Sequence, residues 1–244
     1  MRIPRIYTDS PLAVGSQCQL DDNAANHVGR VLRMQAGQEL RIFNGDGQDY
    51  RAVITEAGKK QVQVDVTEAV TNTTESPLRV VLAQTLSKGD RMDYAVQKAV
   101  EMGVTDIIPL TTERCDVRLK GDREDKRLRH WQQIAISAAE QCGRARVPEI
   151  RPVMTVPQWL EHAQACDVRL VLHHRTEHSL NNLSTPTSVA LMIGPEGGLT
   201  AEEIVLAESN GFLPVALGPR VLRTETAPVA ALALCQWLWG DIGT

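Results

Sequence analysis

The chain has 244 residues and a formal net charge of -4, with 43% hydrophobic and 23% charged residues. This composition is ordinary for a soluble globular protein, and the length fits either one large domain or a small domain joined to a medium one. The acidic balance is not that of a typical nucleic-acid binder, which usually carries an overall basic charge.

The cysteines and the apolar segments indicate the compartment. No C-x-x-C pair occurs among the five cysteines, which argues against a disulfide framework and a structural zinc site and favours a reducing cytoplasm. The Cys and His positions show no metal-ligand spacing. No apolar signal core follows Met1-Arg2, and the most apolar run, residues 228–239, is too short to span a bilayer. We therefore expect a cytoplasmic protein with neither a metal nor a membrane partner.

Residues 1–70 have the pattern of short strands separated by turns. Asn44-Gly45-Asp46-Gly47 lies between two β-rich runs and predicts a hairpin. Val62, Val64 and Val66 alternate with polar residues, as in a half-buried strand. One helix, NAANHVGRVLRMQAG, interrupts the strands, and Gly37 is placed to end it. The prediction is a small β-barrel that carries one helix.

A polar segment closed by a proline, residues 71–77, is predicted to be a linker, and the periodicity changes after it. Strands alternate with helices over 78–244, and the strands are nearly continuous apolar runs. In chain order the predicted strands are LRVVLAQTL, VTDIIPL, VRLVLHH, SVALMIG and LPVALG. The predicted helices are MDYAVQKAVEMG (ended by Gly103), EDKRLRHWQQIAISAAEQCG, PQWLEHAQA, AEEIVLAESNG and a last one to the C-terminus. This alternation predicts an α/β domain with a mainly parallel sheet covered on both faces.

Three strand-end loops, at 172–175, 194–199 and 217–227, form the default ligand site, because ligands bind beyond the carboxyl ends of parallel strands. The glycines of GPEGGL suggest a phosphate loop, but Leu-Thr stands where Lys-Ser/Thr is needed, and the spacing is not G-x-G-x-x-G. Glu196 would also repel a polyphosphate. We expect a flat ligand, neutral or cationic at this loop, that lies against bare backbone. Thr200 and Glu203 form a helix-capping box behind the loop.

Several basic residues are candidates for contacts with anions. Arg220 and Arg223 would clamp a phosphate or a developing anion, or else form surface salt bridges. His27, Arg30 and Arg33 lie one helical turn apart and would meet a phosphate backbone, with a solvated helix face as the alternative. Residues 118–151 carry a local basic excess that suits nucleic acid, with the more usual solvated helix face as the alternative. No G-x-S-x-G motif is present, which disfavours a hydrolase.

The loops IGPEGGLT and LGPRVLRTETA closely resemble the bacterial small-subunit (16S) ribosomal RNA uridine-N3 methyltransferase family of the SPOUT superfamily. The likeness extends over nearly the whole chain through RIYTD, HVGRVLRMQAGQ, QKAVEMGVTDIIPL, ERC and AAEQCGRARVPEI. The resemblance implies a PUA-like RNA-binding barrel at 1–70 and a methyltransferase domain with a deep trefoil knot at 78–244. It also implies a homodimer, which the helix at 228–239, apolar on every side, independently favours.

The resemblance implies S-adenosylmethionine as the cofactor and assigns residues to it. The implied cofactor-binding residues are Leu172, His173, Ile193, Gly194, Pro195, Glu196, Gly197, Gly198, Leu199, Leu217, Gly218, Val221, Leu222, Thr224 and Ala227. Because proline is tolerated only in the first turn of a helix, Pro228 places the N-cap of the last helix at Thr226.

The implied reaction is methyl transfer to uracil N3 in 16S ribosomal RNA within the assembled 30S subunit. N3 must lose a proton, so Arg220 and Arg223 would stabilise the uracil anion or hold a flanking phosphate, and Glu225 or Glu196 would be the base. The candidate catalytic residues are Arg220, Arg223 and Glu225, and the candidate RNA-binding residues are Arg2, Arg5, Arg30, Arg33, Arg114 and Arg144. The alternatives are a knotted methyltransferase for transfer RNA or a ribose 2'-hydroxyl, and a non-enzymatic RNA-binding ribosome-assembly factor.

Overall fold

The computed structural model describes residues 3–58, 61–173, 176, 180 and 183–243. The chain forms two compact units. The first unit is Met1–Glu75 together with Ala139–Val147, and the second is Ser76–Ala138 together with Pro148–Thr244. The segment Ala139–Val147 thus groups with the first unit although it lies in the chain between two parts of the second. The domain limits at residues 70 and 78 stay a prediction.

The first unit is built on a five-stranded sheet with the strand order β1-β3-β4-β5-β2. Its strands are β1 Arg5–Tyr7, β2 Gln17–Gln19, β3 Glu39–Phe43, β4 Gln48–Ala57 and β5 Val62–Thr71. β1 pairs with β3 in parallel, and the other pairs are antiparallel. The predicted hairpin joins β3 to β4, and Gly45 and Gly47 supply its positive φ angles of 92° and 96°. The alternating valines of β5 are fully buried in the core, as predicted.

The helix of the first unit is shorter than the sequence predicts. α1, Asp22–Asn26, is capped by Asp21, whose side chain accepts from two backbone N–H groups. It continues as a π-helical turn, His27–Val31, and ends there instead of at Gly37. Gly29 lies so close to the Gly58 carbonyl oxygen that a Cβ would collide with it. Arg33 then turns the chain away with a φ of 55°, so it does not continue the helical face of His27 and Arg30, and the predicted three-residue stripe is wrong.

The second unit contains a seven-stranded sheet in which every pair is parallel, as predicted. The strand order is β12-β10-β11-β6-β7-β8, and β9 also pairs with β7. The strands are β6 Arg79–Thr85, β7 Asp106–Thr111, β8 Glu149–Ile150, β9 Met154–Thr155, β10 Val168–Leu172, β11 Ser188–Ile193 and β12 Leu213–Val215. β11 is buried along its whole length, as expected of a central parallel strand. The trefoil knot stays a prediction.

The helices of this unit are α2 Arg91–Glu101, α3 Asp122–Cys142, α4 Val156–His162, α5 Ala201–Ser209 and α6 Thr226–Trp239. Gly103 follows the end of α2 with a φ of 79°, as predicted. α3 extends far enough that its last turn belongs to the first unit. Among the described residues, no helix is both long enough and apolar enough to cross a membrane.

The start of α6 corrects a prediction. The N-cap is Glu225, one residue before the predicted Thr226. The backbone N–H groups of Thr226 and Ala227 both donate to the Arg223 carbonyl oxygen at 3.0 Å, so the turn is already closed when the chain reaches Thr226. Pro228 still lies in the first turn, where the missing N–H causes no loss.

Candidate functional site

A cavity of about 1030 Å³ lies in the second unit at the carboxyl ends of β10, β11 and β12. Strands that run in parallel end at the same edge of a sheet, so the loops that follow them come together there. Every residue that the sequence assigns to the cofactor or to catalysis lines this one cavity. They are Leu172 and His173; residues 193–199; Leu217, Gly218, Val221, Leu222, Thr224 and Ala227; and Arg220, Arg223 and Glu225.

The glycine-rich loop 194–199 is anchored at its start, through backbone carbonyl groups, to β6 and to the third loop. The Thr85 hydroxyl donates to the Ile193 carbonyl oxygen at 2.7 Å, and the Thr224 hydroxyl donates to the Gly194 carbonyl oxygen at 3.0 Å. Within the loop, the Gly198 N–H donates to the Pro195 carbonyl oxygen, and Gly198 has a φ of 70° that favours glycine. These hydrogen bonds fix the conformation of the loop, so its backbone offers a defined surface to a ligand.

Two arginines hold the outer side of the same loop. Arg114, which the sequence suggests as an RNA contact, donates to the Gly197 carbonyl oxygen at 3.2 Å. Arg91 forms an ion pair with Glu196 at 2.6 Å, and both side chains are about two-fifths exposed. Sequence reasoning missed Arg91, although it follows the end of β6 at the same edge of the sheet, a position that the strand-end rule points to.

The predicted capping box is present at the start of α5. The Glu203 N–H donates to the Thr200 hydroxyl, and the Thr200 N–H donates to the Glu203 carboxylate. The other carboxylate oxygen of Glu203 accepts from the Glu113 N–H at 2.8 Å. Glu203 therefore also fastens the segment after β7 beside the glycine-rich loop, which the box alone does not predict.

The third loop presents its charged side chains differently. Arg220 and Arg223 are exposed, and neither side chain forms an ion pair or a hydrogen bond with another described residue. Thr224, between Arg223 and Glu225, is buried. The loop thus combines a fixed threonine with flanking charged groups that face the cavity.

The charge around the cavity is positive although the chain as a whole is acidic. The charged lining residues are Arg91, Arg114, Arg220, Arg223, Glu196 and Glu225. Four arginines against two glutamates attract an anionic partner. The protein can therefore receive a polyanion at this edge despite its net charge of -4.

The remaining predicted RNA contacts lie in the first unit. The Arg5 guanidinium binds Asp49 at 2.7 Å and lies over the Phe43 ring at 3.8 Å. Arg144 is 6% exposed and pairs with Glu75 at 2.8 Å. The structure thus shows both cations engaged within the unit, whereas Arg30 and Arg33 are exposed. Arg2 lies outside the described residues, as do His174 and Arg175 of the first loop. The RNA-binding role of all these arginines stays a prediction.

Glu140 is a partly buried carboxylate of the first unit that interacts with Arg5. Glu140, at the end of α3, accepts a hydrogen bond from the Tyr7 N–H at 2.9 Å. Burial raises the pKa of Glu140, and the Tyr7 hydrogen bond and the charges of His27 and Arg5 oppose that shift. The Glu140 carboxylate is thus held by the backbone of β1.

The cavity fits the adenosyl part of S-adenosylmethionine. A side chain at Gly198 would project into open space, so bare backbone is available to a flat base. Aliphatic side chains such as Leu172, Ile193 and Leu217 provide the apolar walls that a purine ring needs. No lysine is among the described residues that line it, so the lining is unlike a phosphate loop. Within the described part of the chain, no group of three or more His, Cys, Asp or Glu side chains could hold a metal ion.

Comparison with known proteins gives the same assignment. Residues 74–236 match the model of an RNA methyltransferase domain, and residues 20–67 match that of an RNA methyltransferase PUA domain. The ribosomal RNA small subunit methyltransferase E of Buchnera aphidicola (Acyrthosiphon pisum) is 35% identical over 98% of this chain and 95% of that protein.

Two solved structures superimpose on nearly the whole chain. A methyltransferase from Legionella pneumophila in complex with the bound cofactor SAM has a TM-score of 0.95 and 43% identity, covering 99% of this chain and 100% of that one. The ribosomal RNA small subunit methyltransferase E from Neisseria gonorrhoeae, bound to S-adenosyl methionine, has a TM-score of 0.91 and 39% identity with the same coverage. The resemblance seen in the sequence is confirmed, and the chain belongs to the ribosomal RNA small subunit methyltransferase E family, with an RNA methyltransferase domain and a PUA domain.

Proposed function

We propose that this protein is an S-adenosylmethionine-dependent methyltransferase that modifies N3 of a uridine in 16S ribosomal RNA, within the assembled 30S subunit. The observation that carries the proposal is the single cavity lined by all the expected cofactor and catalytic residues. The relatives named for small-subunit ribosomal RNA methylation and the SAM-bound neighbours support the substrate and the cofactor.

The backbone of 193–199 and the side chains of Leu172, Leu217 and Leu222 would hold the cofactor. When bound, S-adenosylmethionine supplies a methyl group on a positively charged sulfonium. Glu196 forms an ion pair with Arg91 at 2.6 Å. Its role would therefore be to hold the glycine-rich loop in place. Orienting the two reactants is worth on the order of 7–11 kcal/mol at best, so this rigid loop contributes to the rate by position.

The residues of the third loop would act on the uracil. N3 is an imide nitrogen that must lose its proton before or during attack, which leaves negative charge on the ring. Arg220 and Arg223 would stabilise that charge or hold the flanking phosphate. Glu225 lines the same cavity and is the candidate to accept the N3 proton. A uridine stacked in a helix would have to leave the stack to reach these groups.

Each unit carries arginines that could contact the RNA. Arg114 lies beside the glycine-rich loop, and Arg30 and Arg33 are exposed in the first unit, so these three are the best placed to bind phosphates. Arg5 and Arg144 would support the first unit from within, through Asp49 and Glu75.

We further propose that the active form is a homodimer whose interface includes α6. The helix leaves Leu234 40% exposed and Trp237 63% exposed, which is unusual for a helix with only one polar side chain after Pro228. A second copy would cover this face. The trefoil knot and a cytoplasmic location, where ribosomal subunits are assembled, belong to the same proposal.

The preference for the particle is tested by methyl transfer to two substrates. Purified protein and labelled S-adenosylmethionine are incubated with 30S subunits or with deproteinised 16S ribosomal RNA from cells that lack the enzyme. We expect faster incorporation into the subunits, because an acidic protein relies on the shape of the particle and on local arginines. Equal rates on both substrates would show that the particle is not required.

A further inference from the structure

A buried amide lies beneath the two loops that form the site. Gln84, the residue before the end of β6, is 1% exposed. Its Nε2 donates to the Thr224 hydroxyl at 3.1 Å. The Thr224 hydroxyl in turn donates to the Gly194 carbonyl oxygen at 3.0 Å. A chain of two hydrogen bonds therefore joins β6 to the third loop and the third loop to the glycine-rich loop.

The position of Thr224 makes this chain relevant to the reaction. Thr224 separates Arg223 from Glu225, and all three line the cavity, whereas Gln84 does not. Nε2 of Gln84 also lies 3.4 Å from the Thr224 carbonyl oxygen. The amide therefore orients both the side chain and the backbone of the residue between the two charged groups, without meeting the substrate itself.

Gln84 is a polar side chain at a buried position where an apolar side chain would pack as well. Its Oε1 is buried and has no hydrogen-bond partner among the described residues, and a buried polar atom without a partner costs free energy. The preceding residues of β6, from Val80 to Ala83, are apolar and buried. An apolar side chain of similar length would avoid the cost, so what the amide contributes lies in the bonds that Nε2 makes.

We propose that Gln84 is a positioning residue for methyl transfer, which holds Thr224 so that the cofactor loop and the catalytic loop share one arrangement. The inference rests on the proposed function, because it concerns the same cavity. Without the donor, the Thr224 hydroxyl can rotate away from Gly194, and both loops lose a common anchor. The cofactor and the charged groups of the third loop would then be misaligned.

The test compares two buried glutamines of the second unit. Gln236 is also 1% exposed, and its side chain bonds the Met102 carbonyl oxygen and the Ser76 hydroxyl, away from the cavity. Gln84→Met and Gln236→Met remove the same amide from equally buried sites. We measure the Kd for S-adenosylmethionine by calorimetry, kcat on 30S subunits and the melting temperature.

The melting temperature shows whether each variant is folded. Only Gln84→Met should weaken cofactor binding and lower kcat, each by about tenfold, as expected from the loss of one buried hydrogen bond. If Gln84→Met changes the Kd and kcat no more than Gln236→Met does, Gln84 has only a structural role and the inference is wrong.

A second variant covers the case in which Gln84→Met does not fold. Gln84→Glu keeps the shape, and its carboxyl group donates a hydrogen bond only when protonated. The Kd of Gln84→Glu for the cofactor, divided by the Kd of the wild type, should therefore fall towards one as the pH falls. The same ratio for Gln236→Met should not change with pH. A pH-independent ratio for Gln84→Glu would overturn the inference. A wild-type protein that binds no cofactor would instead refute the proposed function, and the inference would fall with it.

Discussion

At the scale of single residues, the arginines around the cavity divide into two kinds. Arg91 and Arg114 are bound to the glycine-rich loop, one through Glu196 and the other through the Gly197 carbonyl oxygen. Arg220 and Arg223 have no side-chain partner among the described residues and line the same cavity. A guanidinium without a side-chain partner is available to a substrate anion. We therefore assign the stabilisation of the uracil anion to Arg220 and Arg223.

Replacing the available arginines should reduce turnover. Arg220→Ala and Arg223→Ala should each lower kcat on 30S subunits by about 100-fold, the usual effect of losing one group that stabilises developing charge. The Kd for S-adenosylmethionine should change little, because the loss is confined to the reacting base. Arg129→Ala, at an exposed position of α3, is the control. Both variants behaving like the control would remove these residues from the mechanism.

Substitution of the two glutamates of the cavity should affect kcat differently. Glu196→Gln should keep kcat close to the wild-type value, because the amide oxygen of glutamine can still accept the Arg91 hydrogen bond that holds the loop. Glu225→Gln should lower kcat by roughly 100-fold or more if Glu225 accepts the N3 proton. The two substitutions have the same chemistry, so each controls for the other. A large loss for Glu196→Gln together with a small one for Glu225→Gln would exchange the two roles.

At the scale of secondary-structure elements, the sequence predicts what depends on local pattern. The parallel strands, the hairpin at residues 44–47, the end of α2 at Gly103 and the capping box of α5 all follow from hydrophobic period or from turn and cap residues close in the chain. The ligand loops also follow from such a rule, because parallel strands end at one edge.

Features that depend on distant residues could not be predicted. The π-helical turn at 27–31 requires the close approach of Gly29 to Gly58. The bond from Gln84 to Thr224 joins strands and loops 140 residues apart. These are contacts of the folded state, and no local pattern encodes them.

The exposed face of α6 gives a prediction at this scale. Trp237→Glu should convert a dimer into a monomer, because it places a charge on an apolar face that a second copy would bury. Val31→Glu is the matched control, since Val31 and Trp237 are both 63% exposed and Val31 lies in the first unit. Sedimentation at micromolar concentration gives the oligomeric state. A wild-type monomer, or a Trp237→Glu variant that still dimerises, would contradict the proposed interface.

At the scale of the whole molecule, the distribution of charge matters more than its sum. The net charge of -4 suggests that naked RNA is not the preferred partner, yet the cavity is lined by twice as many arginines as glutamates. The family assignment accounts for both units, because one matches an RNA methyltransferase domain and the other includes the match to a PUA domain. Such a protein would recognise the 30S subunit by its shape and through a few arginines. The methyl transfer itself would take place in one cavity.

The position of the methyl group in the product distinguishes uracil-N3 methylation from ribose methylation, and nucleoside mass spectrometry measures it directly. 30S subunits from cells that lack the enzyme are incubated with the purified protein and S-adenosylmethionine, and their RNA is digested to nucleosides. We predict that 3-methyluridine appears and that no ribose-methylated nucleoside increases. A 2'-O-methyl nucleoside in place of 3-methyluridine, or no new methylated nucleoside with a protein that binds the cofactor, would contradict the proposed function.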